Sequence, residues 1–115
     1  MTDTNLGETG WLILTALVVE PQHGYGMIED IHRISDGEVR LHAGTLYAVL
    51  DRLRTAGLIE VDREEIVQSR LRRYYRLTSA GAQRLAQESV RMQRRAKIAH
   101  QRLRQAGIAL GPGAA

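Results

Sequence analysis

The chain of 115 residues contains no cysteine, which excludes disulfides, thiolate metal ligands and a thiol nucleophile. It also lacks a long hydrophobic run: the most apolar segment, Trp11–Val19, is far too short to cross a bilayer and is typical of a buried helix. The polar, acidic start MTDTNLGETG is unlike a secretory signal, in which basic residues precede an apolar stretch. We therefore expect a cytoplasmic protein without a membrane-spanning or targeting segment.

Signatures of catalysis and of metal binding are absent as well. No recognised ligand spacing joins the four histidines, which are His23, His32, His42 and His100. The sequence has no glycine-rich phosphate loop and no nucleophile elbow. His32, Ser35 and Asp36 are close in sequence, but they fall in one turn, and such proximity does not make a catalytic triad. We expect no enzyme activity, no cofactor and no metal.

The basic residues are almost all arginine, since Lys97 is the single lysine beside fifteen arginines. Arginine suits bidentate recognition of phosphate and guanine, although a GC-rich genome produces the same bias. The net charge of +3 is modest, and 43% apolar and 25% charged residues are ordinary for one globular domain. Composition thus permits a nucleic-acid partner without requiring one.

Apolar spacing and turn residues predict two helices in the first part of the chain. Asn5 and Glu8 are spaced as a capping pair, which opens a first helix that runs to about Val19. Pro21 ends this helix, because the residue before a proline is disfavoured in the helical conformation. A second helix begins at about Tyr25.

A turn at Ser35–Gly37 and a short extended segment at Glu38–Leu41, interpreted as a short strand, lead into the third helix. That helix, HAGTLYAVLDRL from His42 to Leu53, has apolar residues at i, i+3, i+4 and i+7. They are Leu46, Val49, Leu50 and Leu53. Gly57 suits the left-handed position that follows a helix C-terminus.

After Gly57 the hydrophobic period changes from helical to alternating. Residues 58–64 and 72–77 indicate paired strands, and residues 65–71 between them form either a hairpin tip or a loose loop. The chain is helical again from 78 to about 107. This order predicts a mainly α fold with a small β-hairpin: a winged helix-turn-helix followed by a long C-terminal helix. We assign 5–77 to a winged helix-turn-helix DNA-binding domain, 78–107 to a C-terminal dimerisation helix and 108–115 to a flexible tail.

In a winged helix-turn-helix the third helix enters the major groove of DNA. Helical rotation of about 100° per residue sets the outer face and its flanks: Gly44, Ala48, Asp51 and Thr55 point outward, flanked by Thr45, Arg52, Tyr47 and Arg54. Gly44 and Ala48 are small enough for a close approach, and the free amides of a helix start attract phosphate. Asp51 can accept from cytosine N4, and Arg52 can reach guanine or phosphate. An ordinary amphipathic helix with a solvated outer face is the alternative.

Arginines cluster in the second strand of the hairpin, within a stretch that contains no acid: Arg70, Arg72, Arg73 and Arg76. Such a cluster on a two-stranded ribbon predicts phosphate or minor-groove contacts. Alternatively, these arginines pair with Asp62, Glu64 and Glu65 on the opposing strand. Tyr74 and Tyr75 alternate faces, so one packs inward and the other is exposed near the base of the hairpin.

The last helix carries a repeat with steps of three and four residues, here called the heptad seam. Its members are Ala82, Leu85, Ser89, Met92, Ala96, Ala99, Leu103 and Ala106. One helix of this length cannot bury such a stripe within so small a domain, so the seam predicts pairing with a second subunit. The alternative is that the helix folds back over the first helix of its own chain. Solvated basic faces complete the helix, with Arg91, Arg94, Arg95, Lys97, Arg102 and Arg104.

Three segments of the chain resemble the PadR family of bacterial transcriptional regulators. They are LILTALVVEPQHGYGMIEDI (Leu12–Ile31), HAGTLYAVLDRLRTAGLIE (His42–Glu60) and RRYYRLTSAG (Arg72–Gly81). These segments cover the winged-helix part almost end to end, and the combination of GTLY with YYRLT–AG is specific. The short C-terminal region, essentially one helix, resembles the compact subgroup of the family.

The resemblance implies a homodimer that binds double-stranded DNA at a palindromic promoter operator and usually represses. It implies that the helix around Gly44, Thr45 and Tyr47 reads the operator and that the hairpin contacts the DNA backbone. His23 and Tyr25 match positions that set the helix pair near the phosphates. In related proteins the C-terminal helices pair, and a small, often aromatic effector can loosen DNA binding.

The chain departs from the family pattern in three places. Ala43 stands where a proline commonly precedes GTLY, so the start of that helix is less rigidly set. The hairpin tip has VQSRL where glycine and proline are common. No tryptophan lies in the last helix, where some relatives stack flat ligands; Trp11 is the single tryptophan, and its ordinary role is core or dimer packing.

The sequence thus predicts a homodimeric winged-helix transcriptional regulator. The predicted DNA-binding residues are His23, Tyr25, His42, Gly44, Thr45, Tyr47, Ala48, Asp51, Arg52, Arg70, Arg72 and Arg73. The predicted dimer-interface residues are Trp11, Leu85, Met92, Ala96, Ala99 and Leu103. Two alternatives remain: a winged-helix module that binds a protein without sequence-specific DNA binding, and a ligand-binding or catalytic protein that uses a cavity of the dimer.

Overall fold

Four helices and a three-stranded antiparallel sheet form the computed structural model, which describes residues 5–111. This order confirms the predicted mainly α fold with a winged helix-turn-helix. The elements are α1 (Gly7–Ala16), β1 (Gln22–His23), α2 (Gly24–Ile34), α3 (Ala43–Thr55), β2 (Ile59–Val67), β3 (Arg70–Leu77) and α4 (Ser79–Gln105). Within the described residues, no helix is long and apolar enough to cross a membrane.

Helix α1 is shorter than predicted, since it ends at Ala16 and not at Val19. Val19 is β-branched and lies just before the segment in which Pro21 disfavours helical backbone. The side-chain amide of Gln22 donates to the carbonyl of Ala16 at 2.7 Å. This bond satisfies a carbonyl that the early helix end would otherwise leave free.

The third strand lies at a different place from the predicted one. Residues 38–41 form neither helix nor strand, whereas β1 pairs antiparallel with β3 and sets His23 opposite Tyr74. The sheet order is β1–β3–β2, so both edges of β3 are occupied. The apolar residues of 38–41 still pack against the core, which explains their character without a strand.

Strands β2 and β3 form a long hairpin, called the wing below. They reach to Val67 and Arg70, so the loop between them is only Gln68 and Ser69. Both residues have positive φ, 52° and 65°. Two left-handed residues in a two-residue loop make a type I′ turn, whose twist matches the strands that it joins. Of the two predictions for residues 65–71, the hairpin tip is therefore confirmed and the loose loop is wrong.

The hydrophobic core lies between the first three helices and the base of the sheet. The predicted stripe of α3 supplies Leu46, Leu50 and Leu53, each almost fully buried, while Val49 packs at its margin. Burial of such a stripe is the main favourable contribution to folding, at roughly 1.5–3 kcal/mol for each large apolar side chain. It also fixes which face of α3 points away from the core.

The start of α4 is anchored to the turn between α3 and β2. The Thr78 hydroxyl donates to the Gly57 carbonyl at 2.7 Å and accepts the Gly81 amide at 3.0 Å. Gly57 has the predicted left-handed backbone, with φ of 78°. A Cβ on Gly81 would collide with the backbone carbonyl oxygen of Leu58. Only glycine allows this close approach of helix to backbone.

The chain divides into two compact units, the first ending at Leu85 and the second beginning at Ala86. The second unit holds most of α4, after which Gly107 has φ of 74°, the conformation common beyond a helix C-terminus. Residues 108–111 form neither helix nor strand, and residues 112–115 of the predicted tail lie outside the described residues. The predicted domain assignments concern function and stay predictions.

Candidate nucleic-acid interface

A groove of about 420 Å³ opens on the first unit, between the start of α2, helix α3 and the wing. Its lining consists of His23, Gly24, Tyr25, Tyr47, Val67, Gln68, Arg70, Leu71, Arg72 and Arg73. Six of the predicted DNA-binding residues are therefore brought together from three distant segments: His23, Tyr25, Tyr47, Arg70, Arg72 and Arg73. Basic and aromatic side chains in one concave surface suit a polyanion with stacked bases.

Tyr47 lies at the junction of α3 and α2. A Cβ on Gly24 would lie only 2.5 Å from the Tyr47 hydroxyl, so the glycine permits the ring to cover the first turn of α2. Tyr47 nevertheless stays 49% exposed, and Tyr25 beside it in the groove is 74% exposed. Tyr47 thus helps to position the two helices and presents part of its ring in the groove.

The outer face of α3 is open along its first two turns. Gly44, Thr45, Ala48 and Asp51 are exposed, and a Cβ on Gly44 would meet nothing within 4 Å. His42 precedes the helix with extended backbone and makes no side-chain hydrogen bond that caps it. The first amides of α3 therefore have no side-chain cap from His42, which suits an approaching phosphate.

Arg52 has partners within its own chain. Its guanidinium donates to the carbonyl of Asn5 at 2.7 Å and to that of Leu6 at 3.4 Å. These bonds hold the segment that leads into α1. A contact between Arg52 and DNA would require both to be exchanged, so the structure gives this residue a positioning role that the sequence did not predict.

The wing arginines fall into two groups. Arg73 pairs with Glu64 at 2.8 Å, and Arg76 pairs with Glu60 at 2.8 Å. In the part of the chain that the structure describes, Arg70 and Arg72 form no ion pair. Pairing with the opposing strand was the alternative to DNA contact, and it holds for Arg73 and Arg76. Because exposed pairs contribute only about 0–1 kcal/mol, phosphate can still compete for them.

His23 joins α2 to the wing. Its Nδ1 accepts the amide of Gly26 at 3.3 Å and so caps α2. Its ring meets the edge of Tyr74 with centroids 5.2 Å apart. On Tyr74 also lies the Arg63 guanidinium, 3.9 Å from the ring centroid, so this tyrosine is half-buried. Tyr75 is the inward one of the pair, as the alternation predicted.

Burial, together with the positive charge of Arg72, lowers the pKa of His23 below 6.5, against a smaller opposite effect of Glu65. A lowered pKa in the folded state means that the neutral ring is favoured by folding. The stability that this gives is fully present above pH 6.5 and is lost as the pH falls through the folded-state pKa. Protonation at Nδ1 would also remove the acceptor that caps α2.

We therefore expect the free energy of unfolding to fall with decreasing pH below about 6.5, and to fall less in His23→Asn. Asparagine keeps a capping oxygen but does not titrate. Urea unfolding of both proteins between pH 5 and pH 8 measures the difference, and His42→Asn is the control because His42 caps nothing. Parallel pH profiles for wild type and His23→Asn would contradict this role.

Comparison with known proteins identifies the chain. The model of the transcriptional regulator PadR-like family matches residues 13–87. The chain belongs to this family. An uncharacterized protein of Lysinibacillus sphaericus is 29% identical over 80 residues, which cover 70% of this chain and 73% of that protein.

Solved structures agree with the PadR assignment. A PadR family transcription regulator of Clostridium difficile R20291 is 25% identical with a TM-score of 0.72, over 84% of this chain and 99% of that one. Bacillus subtilis PadR, solved in complex with operator DNA, is 22% identical with a TM-score of 0.62, over 70% of this chain and 46% of that one. The protein is thus a PadR-family transcriptional regulator with a DNA-binding winged-helix fold. The family is one of regulators and not a class of enzymes.

The wing tip of this PadR protein carries an exposed apolar pair that the sequence did not predict. Ile66 and Leu71 are cross-strand neighbours near the wing tip, and they are 78% and 63% exposed. The sequence places apolar Ile66 and Val67 before Gln68 and Leu71 after Ser69. Their pairing follows only when both strands are extended to the turn. An exposed apolar pair is of the residue type that minor-groove-binding proteins insert between base steps.

The predicted dimer-interface residues differ in their surroundings. Trp11 and Leu85 are partly buried and pack against the core of their own chain. Met92 is 44% exposed. Ala96 and Ala99 are exposed, and Leu103 is half-buried. Their contact with a second copy stays a prediction, as does the DNA contact of each residue in the groove.

Proposed function

We propose that this PadR-family regulator binds a palindromic promoter operator as a homodimer in the cytoplasm and represses transcription. The observation that carries the proposal is the groove, in which His23, Tyr25 and Tyr47 face the unpaired wing residues Arg70 and Arg72. A solved relative from Bacillus subtilis is bound to operator DNA. A regulator of that kind recognises sequence through one helix and gains affinity from phosphate contacts.

The groove suggests how each subunit docks. Helix α3 presents Gly44, Thr45, Ala48 and Asp51 to the major groove, because its opposite face is buried in the core. Gly44 and Ala48 let the helix lie close to the bases, and Asp51 accepts from cytosine N4. The wing then follows the backbone beside the major groove. In a symmetric dimer the two α3 helices fall about one helical turn, roughly 34 Å, apart.

The experiment that tests the proposal is a binding titration with the DNA upstream of its own gene, at several salt concentrations. We expect the logarithm of the affinity to fall linearly with the logarithm of the salt concentration, because each phosphate contact releases counterions. Scrambled DNA of the same length should bind more weakly. Binding that ignores salt, or no preference for the upstream region, would favour a protein-interaction module instead.

The wing is tested by the double variant Arg70→Ala/Arg72→Ala. A dimer would lose about four phosphate contacts, which should lower the magnitude of the salt slope by about 3–4 and weaken binding to all sequences alike. Arg76→Ala is the matched control, since it removes the same charge from the same strand but Arg76 does not line the groove. An unchanged slope in the double variant would exclude the wing from the interface.

Release by a small aromatic effector completes the proposal, by analogy with the family. Helix α4 lacks a tryptophan, so flat stacking by that residue is not available to a ligand there. A screen of aromatic compounds for loss of operator binding tests this part separately. If no compound weakens operator binding, the proposed release by an effector is refuted, while the proposed DNA recognition is unaffected.

A further inference from the structure

The heptad seam reads the same in both directions of the helix, as a strict repeat with steps of three and four residues does. Helix α4 is continuous from Ser79 to Gln105, so the seam lies on one unbroken helix. Met92, Ala96 and Ala99 are exposed in the single chain. The seam positions are symmetric about residue 94. Positions 82 and 106, 85 and 103, 89 and 99, and 92 and 96 each lie at equal distances on either side of it.

We propose that α4 pairs with α4 of a second copy in antiparallel direction, in the register centred on residue 94. This inference rests on the proposed homodimer and specifies its helix pairing. In this register the part of Leu85 that its own core leaves uncovered packs against Leu103 of the second copy. The other layers are Ala82 with Ala106, Ser89 with Ala99, and Met92 with Ala96 of the second copy.

The side-chain sizes fit this arrangement. Leucine meets leucine in the two Leu85–Leu103 layers, while the four innermost layers combine Met92 or Ser89 with alanine, so the helices can approach closely there. A shift by one heptad in either direction leaves one end of the seam without partners. Among antiparallel registers, the one centred on residue 94 pairs all eight members.

The charges beside the seam distinguish the two directions of pairing. Glu88, Arg95 and Arg102 recur every seven residues along one flank, and Gln93 and His100 lie along the other. In antiparallel pairs each flank faces its own copy, so Glu88 lies beside Arg102 of the second copy, twice in the dimer. The register has one like-charged contact, between the two copies of Arg95 near the centre.

In parallel pairs the two flanks would face each other, because residues of equal height meet. Glu88 would then lie beside Gln93, and Arg95 beside His100 of the second copy. Neither is a pair of opposite charges. Glu88 and Arg102 of one chain are about 21 Å apart along the helix, so they cannot pair within it.

The contact that Glu88 makes in the single chain is compatible with a second partner. Arg91 donates to its carboxylate at 3.3 Å. A carboxylate accepts several hydrogen bonds, so a further guanidinium can bind the same group. Pairs of this spacing on a helix contribute little. The Glu88 side chain is 17% exposed in the single chain, so its contact with Arg102 of the second copy requires it to turn outward.

Single-cysteine variants test the direction, and the absence of native cysteine makes the background clean. We expect a mixture of Ser89→Cys and Ala99→Cys proteins to form a disulfide-linked heterodimer on mild oxidation, and each alone to cross-link at least tenfold less. Cross-linking of each variant with itself would overturn the antiparallel direction. Heterodimers of Ser89→Cys with Met92→Cys instead would overturn the register.

The oligomeric state separates this inference from the proposed function. A dimer by light scattering that forms none of these cross-links refutes the pairing of α4 but keeps the homodimer. A monomer at the concentration that saturates operator DNA refutes the homodimer itself. Circular dichroism of each cysteine variant before oxidation confirms that it is folded.

A charge exchange gives an independent test. Glu88→Arg and Arg102→Glu should each weaken dimerisation by about tenfold, since each replaces two attractive contacts with repulsion. The double variant should recover wild-type dimerisation within about threefold. Arg104→Glu changes charge equally but lies away from the seam, so it should have little effect. Failure of the double variant to recover would refute the Glu88–Arg102 contact.

Discussion

A carboxylate placed in the heptad seam should convert this PadR-family regulator to monomers. We expect Met92→Glu and Leu103→Glu to dissociate the dimer, because an unpaired charge buried between two helices costs several kcal/mol. Operator affinity should fall by about 100-fold or more, since the two half-sites would no longer be bound by linked subunits. The recognition surface of each subunit is left intact, so binding to a single half-site should change little.

Both positions are chosen so that dimerisation can be separated from folding. Leu85 is the stronger seam residue by sequence, but it packs against the core of its own chain, so a charge there would also destabilise the domain. Met92 is exposed and lies in the second unit. Arg94→Glu is the control, because it introduces the same carboxylate on the face opposite the seam.

Light scattering gives the mass, and fluorescence anisotropy with whole and half operators gives the affinities. Met92→Glu and Leu103→Glu should be monomeric where wild type and Arg94→Glu are dimeric. If both seam variants stay dimeric, subunits must join through some other surface. If they are monomeric yet bind the whole operator as tightly as wild type, linkage of half-sites contributes nothing.

The elements that the sequence predicted well are those with a strong period. The stripe of α3 and the alternation around Tyr74 and Tyr75 each contain enough residues to define a face. Strand β1 has only two residues, and it exists because β3 offers an edge to which His23 can pair. No local sequence pattern indicates that β3 has a free edge beside His23, so the sequence predicts the short strand at residues 38–41 instead.

In the candidate site, too, contacts between residues that are distant in sequence could not be predicted. Residue type and family resemblance led to His23, Tyr47 and three wing arginines, Arg70, Arg72 and Arg73, which the fold brings into one groove. Which arginines keep a partner was not predictable, since Arg73 meets Glu64 only through the register of the wing. Arg52 reaches Asn5 across 47 positions of sequence, a contact that depends on how α1 and α3 pack. The type I′ turn likewise occurs at Gln68 and Ser69, which lack the usual glycine or asparagine.

Two glycines should respond in opposite ways to the same substitution. Gly81→Ala should lower the free energy of unfolding by about 3 kcal/mol or more, because the new Cβ collides with the backbone carbonyl of Leu58, which cannot turn aside. Gly44→Ala should raise it by about 0.5 kcal/mol, since alanine is the better helix former and its Cβ meets nothing within 4 Å.

Gly44→Ala should weaken operator binding although it raises the free energy of unfolding. A methyl group at this position would stand in the proposed contact between α3 and DNA, so we expect operator affinity to fall by about tenfold although the protein is more stable. Urea unfolding and anisotropy on the same samples measure both effects, and Thr55→Ala is the matched control at the far end of the exposed face. A variant of Gly44 with wild-type affinity would show that DNA does not come close to this helix start.

A Gly81→Ala protein as stable as wild type would show that α4 can move away from Leu58 without cost. The two variants thus separate a close approach within the fold, at Gly81, from the close approach to DNA that we propose at Gly44.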